Sequence, residues 1–144
     1  MNATLDKFGW PDSVIRSYTH WHVLLRPAQV TLGSLVVVCE EPVTHFGAVS
    51  EAAFTELARV VADCEHALSQ AFAYERINWL MLMMVDPDVH FHVIPRYSAV
   101  RQFAGIDFHD RGWPGPPVLD APDPVRAQAL PALHAHLQAI WRSL

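Results

Sequence analysis

The chain lacks an excess of positive charge. Ten Lys and Arg stand against 15 Asp and Glu, a net −5 over 144 residues with histidine neutral. That argues against a general grip on nucleic acid, which needs a basic face to displace counterions. It leaves room for a small anion held by one or two arginines. Cysteine is scarce as well: Cys39 and Cys64 lie in apolar surroundings without Cys-x-x-Cys spacing. They read as reduced core residues of a cytoplasmic protein, not as a disulfide or a zinc pair. No apolar run approaches the ~20 residues of a bilayer span, and Met1–Trp10 has no basic region ahead of an apolar stretch. Neither a membrane segment nor a signal peptide is therefore expected. Internal repeats and low-complexity tracts are missing too. Hydrophobic residues make up 51%, enough for one globular domain over residues 1–144.

The hydrophobic patterning divides the chain into elements. Pro11-Asp12-Ser13 ahead of Val14, Ile15 and Tyr18 predicts a short N-terminal helix. Thr19–Leu25 reads as a strand, with Trp21, Val23 and Leu25 on one face and His20, His22 and Leu24 on the other. Arg26-Pro27-Ala28-Gln29 interrupts it. Leu35-Val36-Val37-Val38-Cys39 is short, β-branched and continuous, the mark of a strand buried on both faces. Ser50 is a good N-cap and Glu51 suits a helix start. Ala53, Phe54, Leu57, Val60, Val61, Cys64, Leu68 and Phe72 then recur at spacings of three and four, predicting an amphipathic helix over 51–72 with His66 on its wet face. Ile77–Val85 predicts a strand whose methionines fill an irregular core. Asp86-Pro87-Asp88 predicts a tight turn into a partner strand at 88–94. Residues 98–118 are rich in aromatics, proline and glycine, and predict a packed cover over a pocket. Asp123-Pro124 opens a last helix, with Val125, Leu130, Leu133, Leu137, Ile140, Trp141 and Leu144 on its apolar face. Pro131 should kink or split it.

The chemistry concentrates in Asp88-Val89-His90-Phe91-His92-Val93-Ile94-Pro95-Arg96. On a strand, Asp88, His90 and His92 share one face, ~6.6 Å apart at about 3.3 Å per residue, while Val89, Phe91 and Val93 face the core. Pro95, with no N–H, should end the ladder.

His90-Phe91-His92-Val93-Ile94-Pro95-Arg96 resembles the histidine-triad (HIT) signature, with Asp88 where the first histidine usually stands. Gly33-Ser34-Leu35-Val36-Val37-Val38 resembles the family's Gly-His-apolar segment, with Ser34 in the histidine's place. The resemblance covers roughly residues 18–97. It implies an α+β fold: an antiparallel sheet with one long central helix and a C-terminal helix. It also implies nucleotidyl transfer, in which His90 attacks the α-phosphorus of a nucleoside ester, anhydride (as in dinucleoside polyphosphates) or phosphoramidate, and water cleaves the nucleotidyl-histidine. His92 would be the third member of the triad. A neutral imidazole is independently a competent nucleophile near neutral pH, and a second one beside it can stabilise charge or assist the leaving group. Asp88 would orient an imidazole or handle its proton. Arg26, Gln29, Ser34 and Arg96 are candidates for ribose or phosphate contacts, and Asn78 reads as a turn residue. The chain lacks the glycine-rich, phosphate-holding loop that many such proteins carry before the histidine strand. No cofactor is expected, and a homodimer is common in the resembled family. Two alternatives stand beside this one: a degenerate domain that binds nucleotide without turnover, and a metal site of Asp88, His90 and His92 with His20 or His22.

Overall fold

The structure, a computed structural model, describes residues 2–120 and 122–144. Its elements in order are α1 (Ala3–Lys7), β1 (Val14–Ser17), β2 (Trp21–Leu25), β3 (Leu35–Cys39), a 3-10 turn at Phe46–Ala48, and α2 (Glu51–Phe72). There follow β4 (Arg76–Leu80), β5 (His90–Arg96), β6 (Arg101–Phe103), β7 (Ile106–Phe108), a 3-10 segment at Pro124–Ala129, and α3 (Leu130–Arg142). The main sheet runs β1-β2-β3-β5-β4, and every neighbouring pair is antiparallel. β6 and β7 form a separate hairpin.

The central strand β3 is buried at every residue, and its alternation shows why. Leu35, Val37 and Cys39 join the large core with residues of α2 and α3. Val36 and Val38 join a smaller one with Leu24, Leu5 and Phe8. The sheet is thus covered on one face by the two long helices and on the other by the N-terminal segment. α2 begins where the sequence puts it: Ser50 Oγ accepts from the Ala53 amide. It packs against the 26–34 loop, where Gly33 has φ +86° and its Cα lies so close to the Phe72 ring that a Cβ would clash.

Four expectations are corrected. The N-terminal helix spans 3–7, not 11–18. Val14 and Ile15 extend instead as β1, because their β-branched side chains pair along β2 rather than wrap a helix. β4 stops at Leu80, so 81–89 is a connecting loop rather than a strand and tight turn. Within it Met81 and Met83 pack against the core, whereas Met84 and Val85 are 85% and 82% exposed. Pro95 lies inside β5, opposite Ile77. Its carbonyl accepts from the Thr31 hydroxyl at 2.6 Å, so its nitrogen faces the same way, past the end of β3, where the ladder needs no donor. Finally, 98–118 covers the helices more than the histidines. Phe103, Ile106 and Phe108 pack on the main core, and the following turn is pinned by Arg96. Pro131 does split the C-terminal segment: it sits in the first turn of α3, after the 3-10 stretch that Asp123 caps.

Candidate active site

His90 and His92 lie two apart on β5 and therefore emerge on one face, ring centroids 5.1 Å apart and edge-on. This is the sheet face covered by the N-terminal segment, and the Phe8 ring stands 6.3 Å from His90 and 5.7 Å from His92. Both rings line a cleft of about 220 Å³. Its walls are Lys7 and Phe8 from the first helix and its exit, Arg26, the 82–86 stretch of the loop, and Leu119.

His90 Nδ1 lies 2.6 Å from the Asp88 carbonyl oxygen. A carbonyl can only accept, so Nδ1 carries the proton. In the neutral ring the Nε2 lone pair is then free. His92 is 7% exposed, and its Nδ1 has no partner among the described residues. Burial, followed by the charges of Arg26 and His90, pulls its pKa down to about 4. It is neutral near pH 7.

The cleft's charge is modest. Lys7, the only lysine of the chain, is paired with Asp86 at 2.9 Å. Arg26 donates to the Ala28 carbonyl at 2.5 Å, but no carboxylate meets it among the ion pairs of the described residues. Burial lowers its pKa. Its guanidinium stands 6.0 Å from the Phe8 ring.

The remaining residues singled out in the sequence go elsewhere. Asp88 precedes β5, and its carboxylate turns to α1: Oδ2 accepts from the Thr4 amide at 3.1 Å and the Thr4 hydroxyl at 2.9 Å. Only its backbone carbonyl meets a histidine. Gln29, 1% exposed, donates to the Arg26 and Ser34 carbonyls and accepts from the Gly33 and Ser34 amides. Ser34 is fully buried and exchanges bonds with Thr31. These two residues brace the loop that carries Arg26 and do not face the cleft. Arg96 is equally occupied. It forms a bidentate pair with Asp110 at 2.7 and 3.0 Å and donates to Asn78 Oδ1 and the Gly115 carbonyl. His22 bonds Ser17 Oγ through Nδ1 and Glu40 through Nε2. The metal set of Asp88, His90, His92 and a further histidine does not assemble: among the described residues no three His, Cys, Asp or Glu side chains converge for an ion.

Sequence reasoning missed Lys7, Phe8, the 82–86 wall and Leu119. The loop could have been found from Pro87 and the two aspartates, which favour an irregular connection over a ladder. α1 offered Asn2, whose side chain accepts from the Leu5 amide, as a cap signal.

No protein-family model and no curated protein matches the sequence. Solved structures do match. A histidine triad protein from Sinorhizobium meliloti 1021 aligns with a TM-score of 0.71 at 19% identity, covering 96% of this chain and 94% of that one. A histidine triad protein from Bradyrhizobium japonicum gives 0.69 at 17%, covering 96% and 95%. A hypothetical histidine triad nucleotide-binding protein from Sulfolobus tokodaii strain7 gives 0.66 at 15%, covering 92% and 85%. The chain has the histidine-triad fold.

Proposed function

We propose that this histidine-triad fold serves a nucleotide hydrolase or nucleotidyltransferase that works through a nucleotidyl-His90 intermediate. One observation carries the reading: the Asp88 carbonyl holds the His90 Nδ1 proton, which leaves Nε2 as the nucleophile at the cleft. Nε2 attacks the α-phosphorus of a nucleoside ester, anhydride or phosphoramidate. The bond from phosphorus to the leaving oxygen or nitrogen breaks, and that atom takes up a proton. Water then attacks phosphorus, the P–N bond breaks, and His90 is regenerated. His92 is kept neutral by burial in the free protein. A bound phosphate anion offsets that burial, so His92 can hold a proton against the non-bridging oxygens or pass one to the leaving group. Arg26 supplies the positive charge.

The likeness to a protein whose name includes nucleotide binding supports the substrate class. The free edge of β4, with Ile77 and Trp79 half-buried on it, supports a homodimer. Buried, unpaired Cys39 and Cys64 support a cytoplasmic protein. No helix among the described residues is long and apolar enough to cross a membrane.

The test is incubation with a panel of nucleoside phosphoramidates and dinucleoside polyphosphates, with mass spectrometry for nucleotide on His90. His90→Ala should abolish turnover and adduct while leaving the fold intact; full activity in that variant would remove the nucleophile from His90. The second reading, a domain that binds nucleotide without turnover, draws on the Lys7–Asp86 pair, which leaves Arg26 to neutralise the phosphates. It predicts thermal stabilisation by nucleotide with no product.

A further inference from the structure

The N-terminal segment forms one wall of the histidine cleft, yet little of it belongs to the sheet. α1 is five residues long, too short to be stable alone. Apolar packing of Leu5 and Phe8 on Leu24, Val36 and Val38 holds it from below. Three polar ties hold it from the side. Asn2 Nδ2 donates to the Cys39 carbonyl at 3.0 Å, Lys7 pairs with Asp86, and Thr4 gives both amide and hydroxyl to the Asp88 carboxylate. Thr4 is 1% exposed, so its bonds are the sheltered ones, while the Lys7 side chain is 49% exposed and its pair is worth little in water. Asp88 thus takes two bonds from one buried residue of the wall, and through its carbonyl it also touches His90.

Resting on the nucleotide-cleft reading above, we infer that Asp88 is a positioning residue that sets two parts of the site from one backbone position. Its carboxylate docks the first helix as the cleft wall, and its carbonyl fixes the His90 ring. An imidazole here could not accept two bonds on one atom from an amide and a hydroxyl as a carboxylate oxygen does. The two functions separate on mutation. Asp88→Ala removes the docking but keeps the carbonyl, so nucleotide binding weakens while the chemical step persists. Asp88→Asn keeps an acceptor oxygen and restores the docking.

The experiment has two arms. Hydrogen exchange follows the amides of Phe8 and Trp10, which are bonded to the Thr4 and Leu5 carbonyls. In Asp88→Ala they exchange about tenfold faster, α2 amides are unchanged, and Asp88→Asn stays near wild type. Kinetics and AMP titration form the second arm. Asp88→Ala raises KM and the AMP Kd by about five- to tenfold, with kcat within about twofold. Thr4→Val weakens binding in the same direction and adds nothing to Asp88→Ala. Wild-type exchange at Phe8 and Trp10 in Asp88→Ala overturns the inference. So does a lost kcat with unchanged KM, which would make Asp88 a proton-handling group, or an Asp88→Asn variant as impaired as Asp88→Ala. A wild-type protein that neither binds AMP nor turns over any nucleotide defeats the functional reading alone, because the exchange arm still reads the docking.

Discussion

Two histidines on the same strand and face differ in what each ring meets at Nδ1. His90 spends that nitrogen on a carbonyl; the Nδ1 of His92 has no partner. The burial of His92, more than the empty Nδ1, has a measurable cost. An unfolded imidazole takes a proton near pH 6.5, whereas folded His92 refuses it until about 4. The unfolded state binds more protons in that window, so this contribution to stability is whole above 6.5 and lost as pH falls toward 4. Urea unfolding of wild type and His92→Gln, compared at about pH 7 and about pH 4.5, should show the wild type losing up to about 2 kcal/mol more than the variant. Equal losses would show that His92 is solvated. The pair itself was legible in the sequence, because a period of two is all that a strand requires to put 90 and 92 together. The partners of Asp88, Gln29, Ser34 and Arg96 were not. Residues able to hold a phosphate are the same types that satisfy buried backbone groups, and burial decides between the two. Asp88 finds Thr4 across 84 positions of sequence, which no local pattern announces.

Legibility at the scale of elements followed the length of the periodic signal. α2 repeats its apolar spacing over 22 residues and is bounded by a side-chain cap, so both ends were readable. Its far end carries strain that the pattern does not show. Ala73 closes the helix in the left-handed region at φ +48°, a conformation that costs an L-residue about 1 kcal/mol and glycine nothing. The two caps predict opposite outcomes. Ala73→Gly should raise stability by about 1 kcal/mol, and Ser50→Ala should lower it by about the same. Chemical denaturation measures both, and a destabilising Ala73→Gly would mean that unfolded-chain entropy outweighs the relieved strain. Shorter elements were misread because four or five residues hold too few repeats to separate periods. Val14–Ser17 took the strand that its β-branched residues favour, and 81–89 left the ladder although its first five residues are apolar. That error matters for function, since the misread loop supplies a wall of the cleft.

Across the whole molecule, Arg96 is the joint between the sheet and the C-terminal third. It leaves the end of β5 and gathers Asp110, Asn78 and the Gly115 carbonyl, with side-chain exposures of 5% for Arg96 and 1% for Asp110. Asp110 also accepts from the Tyr97 amide, so the carboxylate is fully used and fully desolvated. A buried pair of this kind is worth little against an apolar replacement, but costs roughly 3–5 kcal/mol when one partner is taken away. Arg96→Met should therefore destabilise severely by leaving Asp110 charged and unpaired, and Asp110→Leu should do the same by stranding the guanidinium. The double variant should recover much of the loss. Thermal and urea unfolding of the three proteins checks this. Were Arg96 a phosphate ligand instead, Arg96→Met would leave stability near wild type and abolish nucleotide binding. The pairing of a destabilised single variant with a recovering double one belongs only to an internal joint.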